Sequence, residues 1–366
     1  MKWQSERVGA QFLKIRTTAP SHIFIQQKNG PFHSPTGLLR DIGGHREDFH
    51  HLDTAKTTPN AIQISAIYAV PFLRTRLLSY GSRAVPEASK NFKDEQYTGN
   101  AITSILNAVA SVQVPHSWFT HYYITSVASS LFWLQQLSGR GVFFTLIADS
   151  SFQSKFILAS AEAPVGSMSL TQVYFLWLLL FIQGTRRLVE SYTFAKPSKS
   201  TMHVAVWLIG IFFYLADGMA IWVEGIPALS SSASGKLTTQ ETTNAVLAYA
   251  LSSPTSTFAT LLFVAASLAQ NRAHAHLFSL KTYQIPPSAL FTYVWCPHYT
   301  AEIVIYICFA LLAVPEGQWF NRTMVAAIVF VAGNLAVTAN GTREWYIKRF
   351  GSEKAKGRAR LVPGIW

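Results

Sequence analysis

The chain has 366 residues, a formal net charge of +12, 49% hydrophobic residues and only 13% charged ones. Soluble domains carry about 25% charged residues, so a water-soluble globule is excluded and the apolar surplus points to a protein that crosses a membrane several times. A basic balance also fits nucleic acid, but these cations gather at the ends of apolar segments, where they orient a membrane protein and attract anionic headgroups or an anionic cofactor; no nucleic-acid partner is expected.

Residues 1–60 are polar, without a sustained helical period or the apolar core of a signal peptide. They are expected to form a poorly structured N-terminal extension before a membrane domain over 61–366. The stretch "AIQISAIYAVPFL" (61–73) is apolar but short of the roughly 20 residues a spanning helix needs. Clear spans follow near 117–137, 168–184, 204–224, 245–269, 289–314 and 323–341. The expected fold is therefore an all-α, polytopic membrane bundle of six to seven transmembrane helices. If 61–73 also spans, alternate loops carry 18 and 4 Lys plus Arg residues, and the richer side, with the C-terminus, is cytosolic by the positive-inside rule.

Polar residues inside or beside apolar spans are the functional candidates, because an ionisable group in hydrocarbon is costly and faces an internal cavity. The span 168–184 ends in "QGTRRLVES" (183–191), where Arg186 and Arg187 precede Glu190 at helical spacing. That pattern suits an ion pair and a phosphate grip, or anchors that snorkel to the interface. "SKSTMH" (198–203) adds hydroxyls, Lys199 and His203 near the same boundary. After 245–269 comes "QNRAHAHLFSLKTYQIP" (270–286), with Gln270 and His274 one turn apart and Lys281 beyond. His274 and His276 point to different faces, and neither a Cys pair nor HExxH accompanies them, so no metal is expected. "WCPHYTAEI" (295–303) puts His298 and Glu302 at i and i+4 behind Pro297, inside an apolar run. The two cysteines, Cys296 and Cys308, are twelve residues apart in one predicted helix and too distant to pair. "NRT" (321–323) is a sequon on the predicted lumenal side, too near a helix end to be modified. The tail "TREWYIKRFGSEKAKGRARLVPGIW" (342–366) leaves the last span as a basic, aromatic collar.

Most of these clusters fall on the predicted cytosolic side. Together they offer cations for phosphates, amide and carboxylate acceptors, and aromatic rings for stacking, which is what a nucleotide needs. Neither GxGxxG after a strand nor GxxxxGK[ST] occurs. A cofactor pocket within the membrane, open to the cytosol, is the expectation. A transporter or scaffold would instead place midplane polar groups on a path open to both sides.

The segments "QGTRRLVES" with "SKSTMH", "YQIPPSALFTYVWCPHYTAEI" and "TREWYIKRF", with "PFLRTRLLSYGSR" (71–83) and "VPHSWFTHYY" (114–123), resemble the steroid 5-alpha-reductase family. They are most similar to its polyprenol reductase branch in fungi. The resemblance runs from about residue 62 to the C-terminus. It implies a seven-helix membrane enzyme of the endoplasmic reticulum that binds NADPH within the bundle. The implied reaction saturates the alpha-isoprene double bond of a long polyisoprenoid on the route to dolichol, which supports protein N-glycosylation. The implied cofactor contacts are Arg186, Gln270, His274, Lys281, Tyr283, His298, Glu302 and Tyr346, with Arg343 where the branch has His. Gln183 stands where steroid-reducing members have a Tyr acid, which disfavours a 3-oxo-5-alpha-steroid 4-dehydrogenase; a trans-enoyl-CoA reductase is the other reading within the superfamily. Gln183, His203 and Tyr346 are the expected catalytic candidates.

Overall fold

The structure is a computed structural model, and it describes residues 112–149, 166–194, 200–231, 239–355 and 357–364. All of them belong to one compact unit, Thr54–Trp366. The expected extension 1–60 and the segments 61–73 and 71–83 lie outside the described residues.

A three-residue strand β1 (Gln113–Pro115) and a 3-10 turn (His116–Phe119) lead into helix α1 (Thr120–Gly139) and the short α2 (Val142–Ala148). Helix α3 (Leu170–Thr193) is followed by β2 (Thr201–His203), α4 (Val204–Ala220) and α5 (Ile226–Ser231). The chain closes with α6 (Thr239–Tyr249), α7 (Pro254–Ser279), α8 (Leu290–Tyr293), α9 (Pro297–Leu312) and α10 (Arg322–Phe350).

The fold is that of a helical membrane protein. Among the described residues two helical runs, Val204–Ser231 and Arg322–Phe350, are long and apolar enough to cross a bilayer, and α9 is a shorter apolar helix. Large apolar side chains such as Phe212, Leu247, Phe258, Leu261 and Val329 face outward, as lipid contact requires and water would penalise.

Three expectations change. The run 245–269 is not one helix, because α6 stops at Tyr249 and α7 begins at Pro254. Pro254 cannot continue a helix from the preceding residue but suits a first turn. Ser253 and Ser256 cap α7 reciprocally, Ser256 N–H to Ser253 Oγ at 3.1 Å and Ser253 N–H to Ser256 Oγ at 2.9 Å. The run 289–314 is likewise broken before Pro297. Val294 makes an isolated parallel bridge to Ala359; Trp295 N–H donates to Ala359 C=O at 2.9 Å, and Ala359 N–H donates to Tyr293 C=O at 2.9 Å. Finally, the bundle is not wholly α. β1 and β2 pair antiparallel, with Gln113 opposite His203, Val114 opposite Met202 and Pro115 opposite Thr201. This clasp sets the starts of α1 and α4 at one level.

Helices α7 and α9 share a long seam. Ala259, Phe263, Ala266, Gln270 and Ala273 are buried on α7 at three- and four-residue spacing, facing Ala301, Ile305, Cys308 and Phe309 of α9. The small residues let the backbones approach closely, which is how membrane helices gain packing energy. The core is completed by an aromatic plug, Trp222 against Trp133 and Phe144 at ring separations of 4.8 and 5.9 Å.

At one end the bundle is stapled shut. Asn321, completely buried, caps α10 by accepting from Met324 N–H at 2.8 Å and donates to Ala313 C=O at 3.0 Å. Glu224 accepts from both the N–H and the hydroxyl of Thr323 at 2.7 Å. Tyr249 and Gln172 donate to the carbonyls of Leu312 and Val314 at 3.1 and 2.9 Å. The polar residues of interest lie away from this end.

Candidate active site

A single polar network crosses α3, α7, α9 and α1. Its hub is Glu190, whose side chain is 4% exposed. Helix α3 runs past the apolar segment to Thr193, which keeps Arg186, Arg187 and Glu190 on one helix, and both arginines donate to the Glu190 carboxylate. From α7, Asn271 Nδ2 donates to the same carboxylate at 2.7 Å and His274 Nδ1 lies 2.9 Å from it. Arg187 extends to α1, donating to Tyr123 Oη, with its guanidinium 4.6 Å from the ring centroid. Arg186 donates to Gln183 Oε1 at 3.0 Å and to Gln270 Oε1. Gln183 Nε2 donates to Gln270 Oε1 at 3.0 Å, and Ser267 Oγ donates to Gln183 Oε1 at 3.1 Å. Gln270 Nε2 then donates to Glu302 on α9. Two cations and two carboxylates are thus tied together by amides, so each of these four charges has a partner.

One face of this network opens on a cavity with about 210 Å³ of room for the centres of water-sized molecules. Its polar end is formed by Tyr123, Arg187, Gln270, His274, His298 and Glu302. Its other end is largely apolar, with Ile209 and Phe213 of α4 facing Phe330, Val331 and Leu335 of α10 and Asn334 the polar residue among them. Phe213 and Phe330 stack in parallel at 4.6 Å. Gly210 matters here, because a side chain at that position would run into the Tyr122 ring that forms the cavity wall.

The expected site residues fall into groups. Gln270, His274, His298 and Glu302 line the cavity. Arg186 stands behind it in the network, and Arg187, read at first with its neighbour, is the arginine that reaches the cavity. Gln183 lines a much smaller chamber next to the main one. His203 is buried in β2 and lines neither space. Lys281 and Tyr283 lie on the exposed segment between α7 and α8. Tyr346, with Arg343 half-buried one turn earlier, belongs to an aromatic group at the end of α10. There Tyr346 stacks on Trp295 at 4.8 Å and Tyr283 meets Trp345 edge-on at 5.5 Å.

That aromatic group carries the test for a nucleotide. The Arg358 guanidinium sits 5.0 Å from the Trp295 ring on the returning tail. Arg358 Nη1 and Trp295 Nε1 are both buried without an acceptor among the described residues. Buried donors left unsatisfied cost about 1–3 kcal/mol each, and an anionic, acceptor-rich cofactor beside a stacking platform fits them. The two free cysteines, Cys296 and Cys308, are both buried.

Sequence reasoning passed over Tyr123, Tyr214, Asp217, Tyr306 and Arg358. Asp217, an acid in the middle of "FFYLADGMA" (212–220), carried a signal that the intramembrane-charge rule detects. The tyrosines carried none, because Tyr is ordinary in apolar helices.

Residues 233–366 match the family described as 3-oxo-5-alpha-steroid 4-dehydrogenase. The chain is also similar to proteins named polyprenal reductase. It is 26% identical to Polyprenal reductase 1 of Oryza sativa subsp. indica, over 83% of this chain and 92% of that protein. It is 24% identical to the Saccharomyces cerevisiae polyprenal reductase, over 79% and 86%, and 26% identical to the Homo sapiens one, over 71% and 80%. By these matches and its ordered motifs the chain is similar to the steroid 5-alpha-reductase family, and to the polyprenal reductases in particular.

Proposed function

We propose that the protein is an NADPH-dependent reductase that saturates the alpha-isoprene double bond of polyprenal, on the route from polyprenol to dolichol that supplies protein N-glycosylation. The observation that carries this reading is the two-ended cavity, polar at Tyr123, Arg187, Gln270 and Glu302 and apolar between α4 and α10. A lipid aldehyde has the same two ends. The site would work in the endoplasmic reticulum membrane, in a bundle of six to seven spanning helices with the C-terminus cytosolic. Residues 61–366 would form the catalytic domain and 1–60 an extension.

NADPH supplies a hydride when bound. Hydride adds readily to a C=C only where a conjugated group takes up the developing charge, so the enal is a better acceptor than the allylic alcohol. Tyr123, held by Arg187, would be the acid beside the enal, and Arg187 would stabilise the phenolate it leaves. Gln270, His274, His298 and Glu302 would position polar groups of the cofactor, with Arg186 and Gln183 fixing Gln270 from behind. Arg358, Arg343 and Lys281 would meet its phosphates, and Trp295, Tyr346 and Tyr283 offer faces for stacking. His203 would hold the clasp beneath the cavity. Among the described residues no group of three metal ligands occurs.

Purified protein in detergent, given NADPH with polyprenal, polyprenol, a 3-oxo-steroid or an enoyl-CoA in turn, should reduce only the polyprenal efficiently. Direct reduction of the alcohol with no aldehyde route overturns the proposal, and a steroid or enoyl-CoA preference moves the chain to another activity of its superfamily. In a reductase-deficient cell the wild type should restore dolichol synthesis and Glu302→Ala should not.

A further inference from the structure

Next to the main cavity lies a second, much smaller chamber with about 10 Å³ of room for a water centre. It is lined by Tyr123, Gln183 and Arg187, by Tyr214 and Asp217 of α4, and by Glu302 and Tyr306 of α9. That is the size of a single water site, and its rim supplies more than the two to four polar partners a buried water needs. Tyr123, Arg187, Tyr214 and Glu302 line both spaces, so the chamber adjoins the reaction cavity with only their side chains between.

Asp217 is 2% exposed. Tyr306 Oη donates to its Oδ2 at 3.1 Å, while its Oδ1 is buried without a partner among the described residues. A bare carboxylate with an unpaired oxygen is a costly thing to keep in an apolar bundle. A carboxylic acid in the same place offers its O–H to the chamber. The packing of α1, α3, α7 and α9 explains Glu190 and Glu302 as members of the arginine and amide network, but among the described residues Asp217 makes no ion pair.

We propose that Asp217, positioned by Tyr306, is a proton store that recharges Tyr123 through one water in this chamber. The inference rests on the reductase reading above. When bound, NADPH would supply the hydride, and its two electrons, for the C3–H bond; the C2=C3 pair would become the C1=C2 bond as the carbonyl pair passes to the oxygen. Tyr123 gives its proton to C2, which restores the carbonyl, and becomes a phenolate beside the Arg187 guanidinium. The chamber water protonates that phenolate and takes a proton from Asp217. The Asp217 carboxylate keeps the hydrogen bond from Tyr306, and solvent returns its proton through the main cavity after product leaves. Tyr123 is then the catalytic residue, and Asp217 and Tyr306 act through it.

Asp217→Asn keeps the shape and an acceptor for Tyr306 but removes the transferable proton. With polyprenal and NADPH, its first turnover in rapid mixing should match the wild type, and later turnovers should fall by about tenfold or more, within the range general acids contribute. A purely structural role would slow both phases together. Infrared spectra without substrate or cofactor should show a protonated-carboxyl stretch in the wild type that Asp217→Asn abolishes. If Asp217→Asn does not fold, Tyr306→Phe serves, and it should shift that band and slow the later turnovers. Equal steady-state rates for Asp217→Asn and wild type, or a band that the variants leave alone, overturn the proposal. If the wild type reduces no polyprenal, the reductase reading fails, and the infrared band still decides whether Asp217 holds a proton.

Discussion

At the scale of single residues the site depends on Glu190 more than on any group that faces the cavity. Its carboxylate receives Arg186, Arg187 and Asn271 and adjoins His274. Removing one partner of a buried ion pair costs about 3–5 kcal/mol, because the other is left uncompensated. Glu190→Ala should therefore lower the thermal unfolding midpoint in detergent sharply and abolish activity with it. Arg187→Lys tests something narrower. A lysine cannot reach Tyr123, Glu190 and His274 together as the planar guanidinium does. Turnover should drop by about a hundredfold, with the unfolding midpoint moved much less than in Glu190→Ala.

At the scale of elements, proline and serine chemistry decides where helices break, and hydropathy decides only where they are apolar. Pro254 and Pro297 each stand in the first turn of a helix, inside apolar runs that hydropathy reads as continuous. Helices α3 and α10 err the other way, running on past their apolar windows through Arg186–Glu190 and Arg343–Arg349. A helix needs backbone partners, not apolar side chains, so a transfer scale ends it too early. That is also why Glu190 was legible as an ion-pair partner but not as the hub. His298, Glu302, Gln270 and His274 were readable because polar groups at helical spacing in an apolar run have few bland explanations. The link to α1 was not, since it is made by Tyr123 across 64 positions of sequence. The cap of α10 gives a test at this scale. Asn321→Ala removes the bonds to Met324 and Ala313 and should cost about 1–2 kcal/mol of stability. The same burial keeps the sequon at 321–323 unglycosylated, so the chain's gel mobility should not change on deglycosylase treatment through this site. Gly210→Leu should push the Tyr122 ring into the cavity, raising KM for the lipid while NADPH affinity stays near the parent value.

At the scale of the whole molecule, two distant pieces of chain are closed over the bundle. The β1–β2 clasp ties the entry of α1 to that of α4, and the tail at 358–361 returns to the break before α9. The first frames the floor of the cavity and the second brings Arg358 to Trp295. Truncation after Gly357 should leave the α7–α9 seam intact and weaken NADPH binding by at least about tenfold, which is about 1.4 kcal/mol; calorimetric titration measures it.

The way the tail is held has a consequence for how this chain can change. Its bonds to the break run through main-chain atoms. Ala359 uses its own N–H and C=O, and Leu361 offers its carbonyl to the Thr300 hydroxyl at 2.7 Å. Almost any residue but proline could stand at 359 and make the same bonds, whereas the side chains of Arg358 beside Trp295, of Arg360, which donates to Asn340 Oδ1 at 2.7 Å, and of buried Leu361 are committed. The seat at 359 can thus change its residue and keep its place, while a change at 358, 360 or 361 loosens the tail.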